Sequence, residues 1–317
     1  MRRFPAFFMT FLLLLASRTS SALSVDQKLL ALVPSGAQIV AGVDSSPPKG
    51  QSGSFVFITY NNIIDLQDYF ALTGADSSLM VRHTIFVATD DGTKQLGKHS
   101  LIMRGHFDRT RVYKSAADGG AKIIEYHGLS VLEVQPFARE QGEFHEVRWL
   151  AILDSDVLLF GTVASVQQEM DRYLSGSAAD PLLARRLASM RPDDQTWCVL
   201  SVSPARNPEI WGALRAFDAK MAELAEHADA FQFGIRYGRQ VELEYQATTA
   251  AIRTISNSLF PSVTGSKPGT SLLPSADIGE DPHTERGVIK FSMGRYNAWL
   301  TEVSTHNNGP SMTSPWR

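Results

Sequence analysis

The chain has 317 residues, 44% of them hydrophobic and 20% charged, with 30 basic side chains against 33 acidic ones and a single cysteine. This length suits one large domain or two of ordinary size. One cysteine excludes an intramolecular disulfide and a thiolate metal cluster, and the acidic balance argues against nucleic acid or an anionic membrane as partner.

Arg2 and Arg3 precede an apolar run over residues 4–16 and a polar segment that closes on Ser20, Ser21 and Ala22. This is the layout of a secretory signal peptide cleaved after Ala22. The apolar run is shorter than the roughly 20 residues that cross a bilayer, so no stable transmembrane anchor is expected after cleavage. Phe4 and Pro5 fit the twin-arginine route poorly. Cleavage removes three basic residues and leaves 27 basic against 33 acidic, a net charge near −6, on a chain of 295 residues. An exported chain without disulfides points to the periplasm or cell envelope of a bacterium, and no cysteine follows the apolar run to carry a lipid.

In chain order, residues 25–32 read as a short helical lead, and the turn Pro34-Ser35-Gly36 delivers a strand over 38–43. A strand over 55–60 and a helix ending at Gly74 follow. Residues 84–89 and 100–107 form a hairpin with a longer loop, 109–117 a helix, and Lys122–Tyr126 with Leu129–Val134 a hairpin around His127-Gly128. The most legible stretch is 146–174. Two apolar runs flank Asp154, Ser155 and Asp156, then Gly161 and Thr162 open a helix with Val163, Val166, Met170, Tyr173 and Leu174 at helical spacing. Continuous rather than alternating hydrophobicity in that strand pair predicts burial on both faces.

A polar break and a helix over 182–190 lead to a strand over 196–202, a helix over 208–227, strands over 231–237 and 240–247, and a helix over 248–260. A flexible segment is expected over 261–286, a last strand over 288–293, a short helix over 296–303 and a disordered tail beyond 304. The halves share an order of elements, which predicts an α+β fold. It consists of two similar antiparallel-sheet units, each with helices packed on one face, arising by tandem duplication. The boundaries are a signal peptide at 1–22, a first unit at 23–175, a linker at 176–195, a second unit at 196–304 and a tail at 305–317.

Few residues offer chemistry. Arg104, His106 and Asp108 are the candidates, because strand alternation would place all three on one face, where an imidazole between opposite charges can move a proton. A solvated strand face opposite Leu101, Met103 and Phe107 is the competing reading, and no sequence feature ties a nucleophile to the group. The histidines, among them His83, His99, His127 and His145, show no metal-binding spacing, and no metal or other cofactor is expected. Asp90-Asp91-Gly92 and Asp154-Ser155-Asp156 read as turns rather than calcium loops. No serine elbow, Walker loop or dinucleotide fingerprint occurs. Cys198, between Trp197 and Val199, reads as a small buried apolar group. The helix stripe Trp211, Leu214, Phe217, Met221 and Leu224 reads as core rather than a binding groove. The helix start at Gly161-Thr162 could hold an anion, but Thr162 fits a cap better.

The succession VPSGAQIVAGVD, IIDLQDYFALTG, FVATDDG with HSLIMRGHFD, IIEYHGLSVLEV, WLAILDSDVLLFGTVASVQQEMDRYL and DQTWCVL resembles a family of uncharacterised exported bacterial proteins found notably among soil acidobacteria. It is more loosely similar to exported proteins grouped as a domain of unknown function related to DUF3352. The resemblance covers about residues 29–202 well and implies export and a duplicated α+β fold, with no catalytic residues to carry over. The leading expectation is an exported, non-enzymatic protein that binds a protein or small-molecule ligand through its sheet face or a cleft between halves. The competing classes are a hydrolase with a site assembled from residues such as His106 and Asp108, and a structural envelope component.

Overall fold

A computed structural model describes residues 25–44, 81–89, 98–118, 120–135, 147–201, 228–248, 277–278 and 284–294. The expected signal peptide with its cleavage after Ala22, the strand expected over 55–60 with the helix after it, the helices expected over 208–227, 248–260 and 296–303, and the expected tail lie outside the described residues.

The described strands are β1 (Ile39–Asp44), β2 (Val81–Thr89), β3 (Lys98–Gly105), β4 (Lys122–Tyr126), β5 (Leu129–Val134), β6 (Arg148–Asp154), β7 (Val157–Thr162), β8 (Thr196–Leu200), β9 (Ala230–Tyr237), β10 (Val241–Thr248), β11 (Asp277–Ile278) and β12 (Thr284–Phe291). The helices are α1 (Gln27–Leu32), α2 (Arg109–Asp118), α3 (Val163–Ser175) and α4 (Pro181–Ala188). All twelve strands join one sheet in the order β11-β12-β10-β9-β8-β1-β2-β3-β7-β6-β5-β4. Every pairing is antiparallel. The fold is thus α+β, built on one large antiparallel sheet.

Side-chain parity divides the core in two. On one face lie Phe86, Leu101, Met103, Leu132, Leu150, Leu158 and Phe160, continuing through Cys198, Phe231, Leu243 and Tyr245. On the other lie Val40, Ile85, Ile102, Trp149, Ala151, Leu159, Trp197 and Val199. β6 and β7 are buried on both faces, as their unbroken apolar runs require. β10 instead alternates, with Val241, Leu243, Tyr245 and Ala247 inward and Glu242, Glu244 and Gln246 on the half-buried face.

Local chemistry sets the helix ends. Asp26, Thr162 and Asp180 cap α1, α3 and α4, accepting from the backbone N–H of Lys28, Ser165 and Leu182 respectively. Thr162 is therefore a cap. Pro181 fills the first turn of α4, where a missing N–H costs nothing.

Three expectations are corrected. First, the helices do not share a face. Val112, Tyr113 and Ala116 of α2 join the first cluster, while α1, α3 and α4 contribute to the second. The cause is topological. α2 carries the chain from β3 to the outer strand β4, the meander β4-β5-β6-β7 returns to pair β7 with β3, and α3 then leaves across the opposite face. Second, the two halves do not form separate sheets, because β1 pairs with β8 from Ile39↔Leu200 to Val43↔Thr196. Within residues 176–195 the expected helix is present as α4, one position earlier at its start, and its Leu183 and Leu187 are buried. Third, β3 ends at Gly105, short of the expected 107, and the segment expected to be flexible up to 286 contains β11 and the start of β12, paired at Asp277↔Arg286.

Candidate functional site

The sequence candidates do not converge. Arg104 is the last side chain of β3 on the α1 face, 2.6 Å from Asp26 Oδ2 and 3.4 Å from Asp156 Oδ2. It joins the cap of α1 to the β6–β7 turn, so its charge is engaged by two carboxylates. His106 lies beyond the end of β3 and is exposed. Asp108 is exposed too, and its Oδ1 accepts from the Arg111 N–H at 3.0 Å, which caps α2. Strand alternation cannot align the three because the strand stops at Gly105. Their geometry offers no shared proton path.

A larger charged group occupies the half-buried face of the second half. Arg191 lies 3.2 Å from Asp194, 3.0 Å from Glu242 and 2.7 Å from Glu244. Arg236 joins Asp193 and Glu242, and Lys290 lies 3.0 Å from Glu242. Gly234 makes room for Asp194, whose Oδ2 fills the space a β-carbon would take. Burial pushes the Asp194 carboxyl up to about 6 although Arg191 pulls the other way. Four carboxylates against three cations leave the group nearly neutral, and it fastens residues 191–195 to β9, β10 and β12.

The chemically unusual residue is Glu169, the centre of α3. It is fully buried at 0% exposure. Ser100 of β3, equally buried, donates its hydroxyl to Glu169 Oε1, and Glu169 Oε2 has no hydrogen-bond partner among the described residues. Gly161 on β7 permits this contact. It stands opposite Ser100 in register, and a β-carbon there would lie 2.5 Å from the His99 carbonyl oxygen and 2.6 Å from Ser100 Cα. Desolvation pushes the Glu169 carboxyl up to about 8, opposed only in part by the Ser100 hydrogen bond, so at neutral pH it is mostly the uncharged acid. Both side chains are sealed from solvent, so the pair can hold or release a proton but cannot touch a substrate in this arrangement.

Sequence reasoning passed over Glu169. The signal was present, because Val166, Glu169, Met170 and Tyr173 follow helical spacing and put a carboxyl in the apolar stripe. Cys198 is buried as expected, and burial alone pushes its thiol up to about 12. Among the described residues no group of three His, Cys, Asp or Glu side chains could hold a metal, and no helix is long and apolar enough to cross a membrane.

The outer strand β4 is the remaining feature. His127 and Gly128 both have positive φ, 49° and 81°, which makes the β4–β5 connection a type I′ turn. The pair closing such a turn, Tyr126↔Leu129, exchanges both backbone bonds. By alternation, Ile124 and Lys122 also face β5, while Ile123 and Glu125 direct N–H and C=O outward. No described strand lies beyond them. Ile123 is 56% exposed, a large apolar side chain on that edge.

No family model matches the chain, and no curated protein matches it. Among solved structures, the chain is similar to TP0453 in its crystal form I, with 12% identity, a TM-score of 0.46, and coverage of 89% of this chain and 99% of that one. At that level the likeness carries no argument about fold or function.

Proposed function

We propose that this is an exported, non-enzymatic binding protein of the bacterial periplasm or envelope that holds a protein partner by adding an extended segment of it to β4. The observation that carries the reading is the open β4 edge, with the backbone groups of Ile123 and Glu125 directed outward and the Ile123 side chain uncovered. Strand addition gains affinity from main-chain bonds and specificity from alternate side chains. Two further points support it. Arg104 and Asp108 are committed to holding α1 and α2, and helices cover both faces of the sheet near this edge. The reading treats the fold as a tandem duplication, since the order outward from the β1·β8 seam is β1-β2-β3-β7 on one side and β8-β9-β10-β12 on the other. Export rests on the signal-peptide layout at residues 1–22.

Ile123→Pro tests the edge. Its N–H points away from β5, so proline removes an outward donor and no bond of the β4–β5 ladder, a substitution edge strands tolerate. With a photo-crosslinking side chain at Glu125 in the expressing cell, a discrete protein adduct is expected. Ile123→Pro abolishes it while the far-ultraviolet circular dichroism and melting temperature stay unchanged. An adduct that survives Ile123→Pro, or an equal one from a crosslinker at the exposed Arg239 turn, contradicts the edge as the docking site. A hydrolytic turnover lost on His106→Ala contradicts the non-enzymatic reading.

A further inference from the structure

Glu169 has no part in the docking edge, yet it is fully buried with one carboxyl oxygen lacking a hydrogen-bond partner among the described residues. An ionised carboxylate in an apolar interior is strongly disfavoured, and its usual remedies are a cationic partner or several donors. Among the described residues Glu169 has neither, and its one hydrogen bond is from Ser100.

The surrounding elements supply no charge. α3 packs against β7, β6, β3 and α1. β7 carries no titratable residue. On β6, Arg148 lies on the opposite face with Leu150 and Ile152, and Asp154 accepts from the Tyr173 hydroxyl at 2.9 Å. On β3, Lys98 is exposed, the buried His99 lies on the opposite face with its ring 6.4 Å from that of Phe86, and Arg104 turns to Asp26 and Asp156. At α1, Asp26 is held by Arg104, and Lys28 is exposed. On α3 itself, Asp171 accepts from Tyr126 at 3.1 Å, and Arg172 donates to the carbonyls of Ala31 at 2.9 Å and Ala178 at 2.6 Å. The other holds on α3 include Val166 and Met170 beneath it, the partly buried Val163 and Tyr173 at its flanks, and these peripheral polar bonds. Several of those bonds are solvent-exposed and contribute little each.

We propose that α3 is a proton-controlled flap: protonated Glu169, bonded to Ser100, keeps it seated on β3 and β7, and loss of that proton lifts it and uncovers the apolar strip of Ile102, Trp149 and Leu159 below. The step is a plain acid dissociation. The proton passes to water, and the carboxylate gains hydration only when α3 opens. Because the opened carboxyl has an ordinary acidity, opening becomes more frequent as soon as the pH exceeds the usual glutamate range, and it levels off once the seated carboxyl itself ionises. Ser100 tunes that upper limit, since its hydrogen bond favours the ionised form.

Amide hydrogen exchange of the full-length mature chain between pH 5 and 9, corrected for intrinsic chemistry, tests the flap. The α3 amides are expected to be less protected than those of β10, and to lose protection about tenfold per pH unit up to about 8 before levelling. Glu169→Gln flattens this dependence. Ser100→Ala moves the levelling to higher pH, which keeps the test decisive if Glu169→Gln does not fold. The proposal is overturned if α3 protection is independent of pH in the wild type. It is overturned equally if Glu169→Gln keeps the same slope, or if α3 and β10 amides share one protection class at every pH.

Discussion

Between pH 6 and pH 8 the wild-type protein is expected to lose about 2.3 kcal/mol of stability to urea through Glu169, at close to 1.4 kcal/mol per pH unit until the slope flattens near pH 8, and Glu169→Gln to remove that loss. The sign follows from the direction of the shift. The folded-state carboxyl of Glu169 sits at about 8, against 4.5 for the free side chain. Between those values the unfolded chain has released the proton and the folded chain still holds it. Stability is thus greatest below the unfolded value and falls as the pH rises toward the folded one. Asp194, raised to about 6, acts in the same direction, is half spent at that pH and adds little above about pH 7. Glu242 acts oppositely. Its carboxyl is lowered chiefly by the Lys290 hydrogen bond, so its contribution is lost as the pH falls. The upper part of the window, from about pH 7 to 8, therefore isolates Glu169 among the shifted carboxyls, and the difference between wild-type and Glu169→Gln curves cancels what they share. A wild-type curve without that excess slope contradicts a buried, proton-holding Glu169.

Gly161→Ala is expected to cost about 3 kcal/mol, at the upper end of what overpacking does in a core. The atoms a new methyl would meet, the His99 carbonyl oxygen at 2.5 Å and Ser100 Cα at 2.6 Å, belong to the neighbouring backbone and cannot rotate away. β3 and β7 must separate, and the Ser100 hydroxyl moves from Glu169 with them. Gly36→Ala is the control. It has no atom within 4 Å of the added carbon and is expected to change stability by less than about 0.5 kcal/mol. Chemical unfolding of the two variants checks the contrast, and similar losses from both would show that the close approach at Gly161 is absent.

What the sequence showed, and what it hid, follows the range of the interactions. Lys122–Tyr126, Leu129–Val134 and the Thr162 cap were legible to the residue, because turn chemistry and helical spacing act within a few positions. The end of β3 was misplaced because HSLIMRGHFD keeps alternating past Gly105, while the Asp108 cap of α2 claims the chain. The β1·β8 seam joins residues more than 150 positions apart, and nothing in IVAGVD or TWCVL names its partner. The face taken by α2 depends on β7 returning to β3, again a long-range pairing. For the candidate site, the triad Arg104, His106 and Asp108 was a pattern of residue types without a fold to assemble it. Glu169 looked like ordinary helix polarity until its partner Ser100, 69 positions away, stood beneath it.

The seam is the claim on which the architecture rests, since it turns two halves into one sheet, and the chain's own cysteine probes it. Asp44 donates its N–H to the Gln195 carbonyl and Ser201 donates to Gln38, so the bonded pairs fall on even positions of β1. Ala41 and Cys198 are then a directly opposed, non-bonded pair with Cα atoms about 4.5 Å apart, within the range a disulfide spans. Introducing Ala41→Cys, oxidising the purified protein and mapping its peptides by mass spectrometry measures this register. An intramolecular 41–198 disulfide in monomeric protein is the expected result; free thiols or only intermolecular dimers would contradict the single continuous sheet.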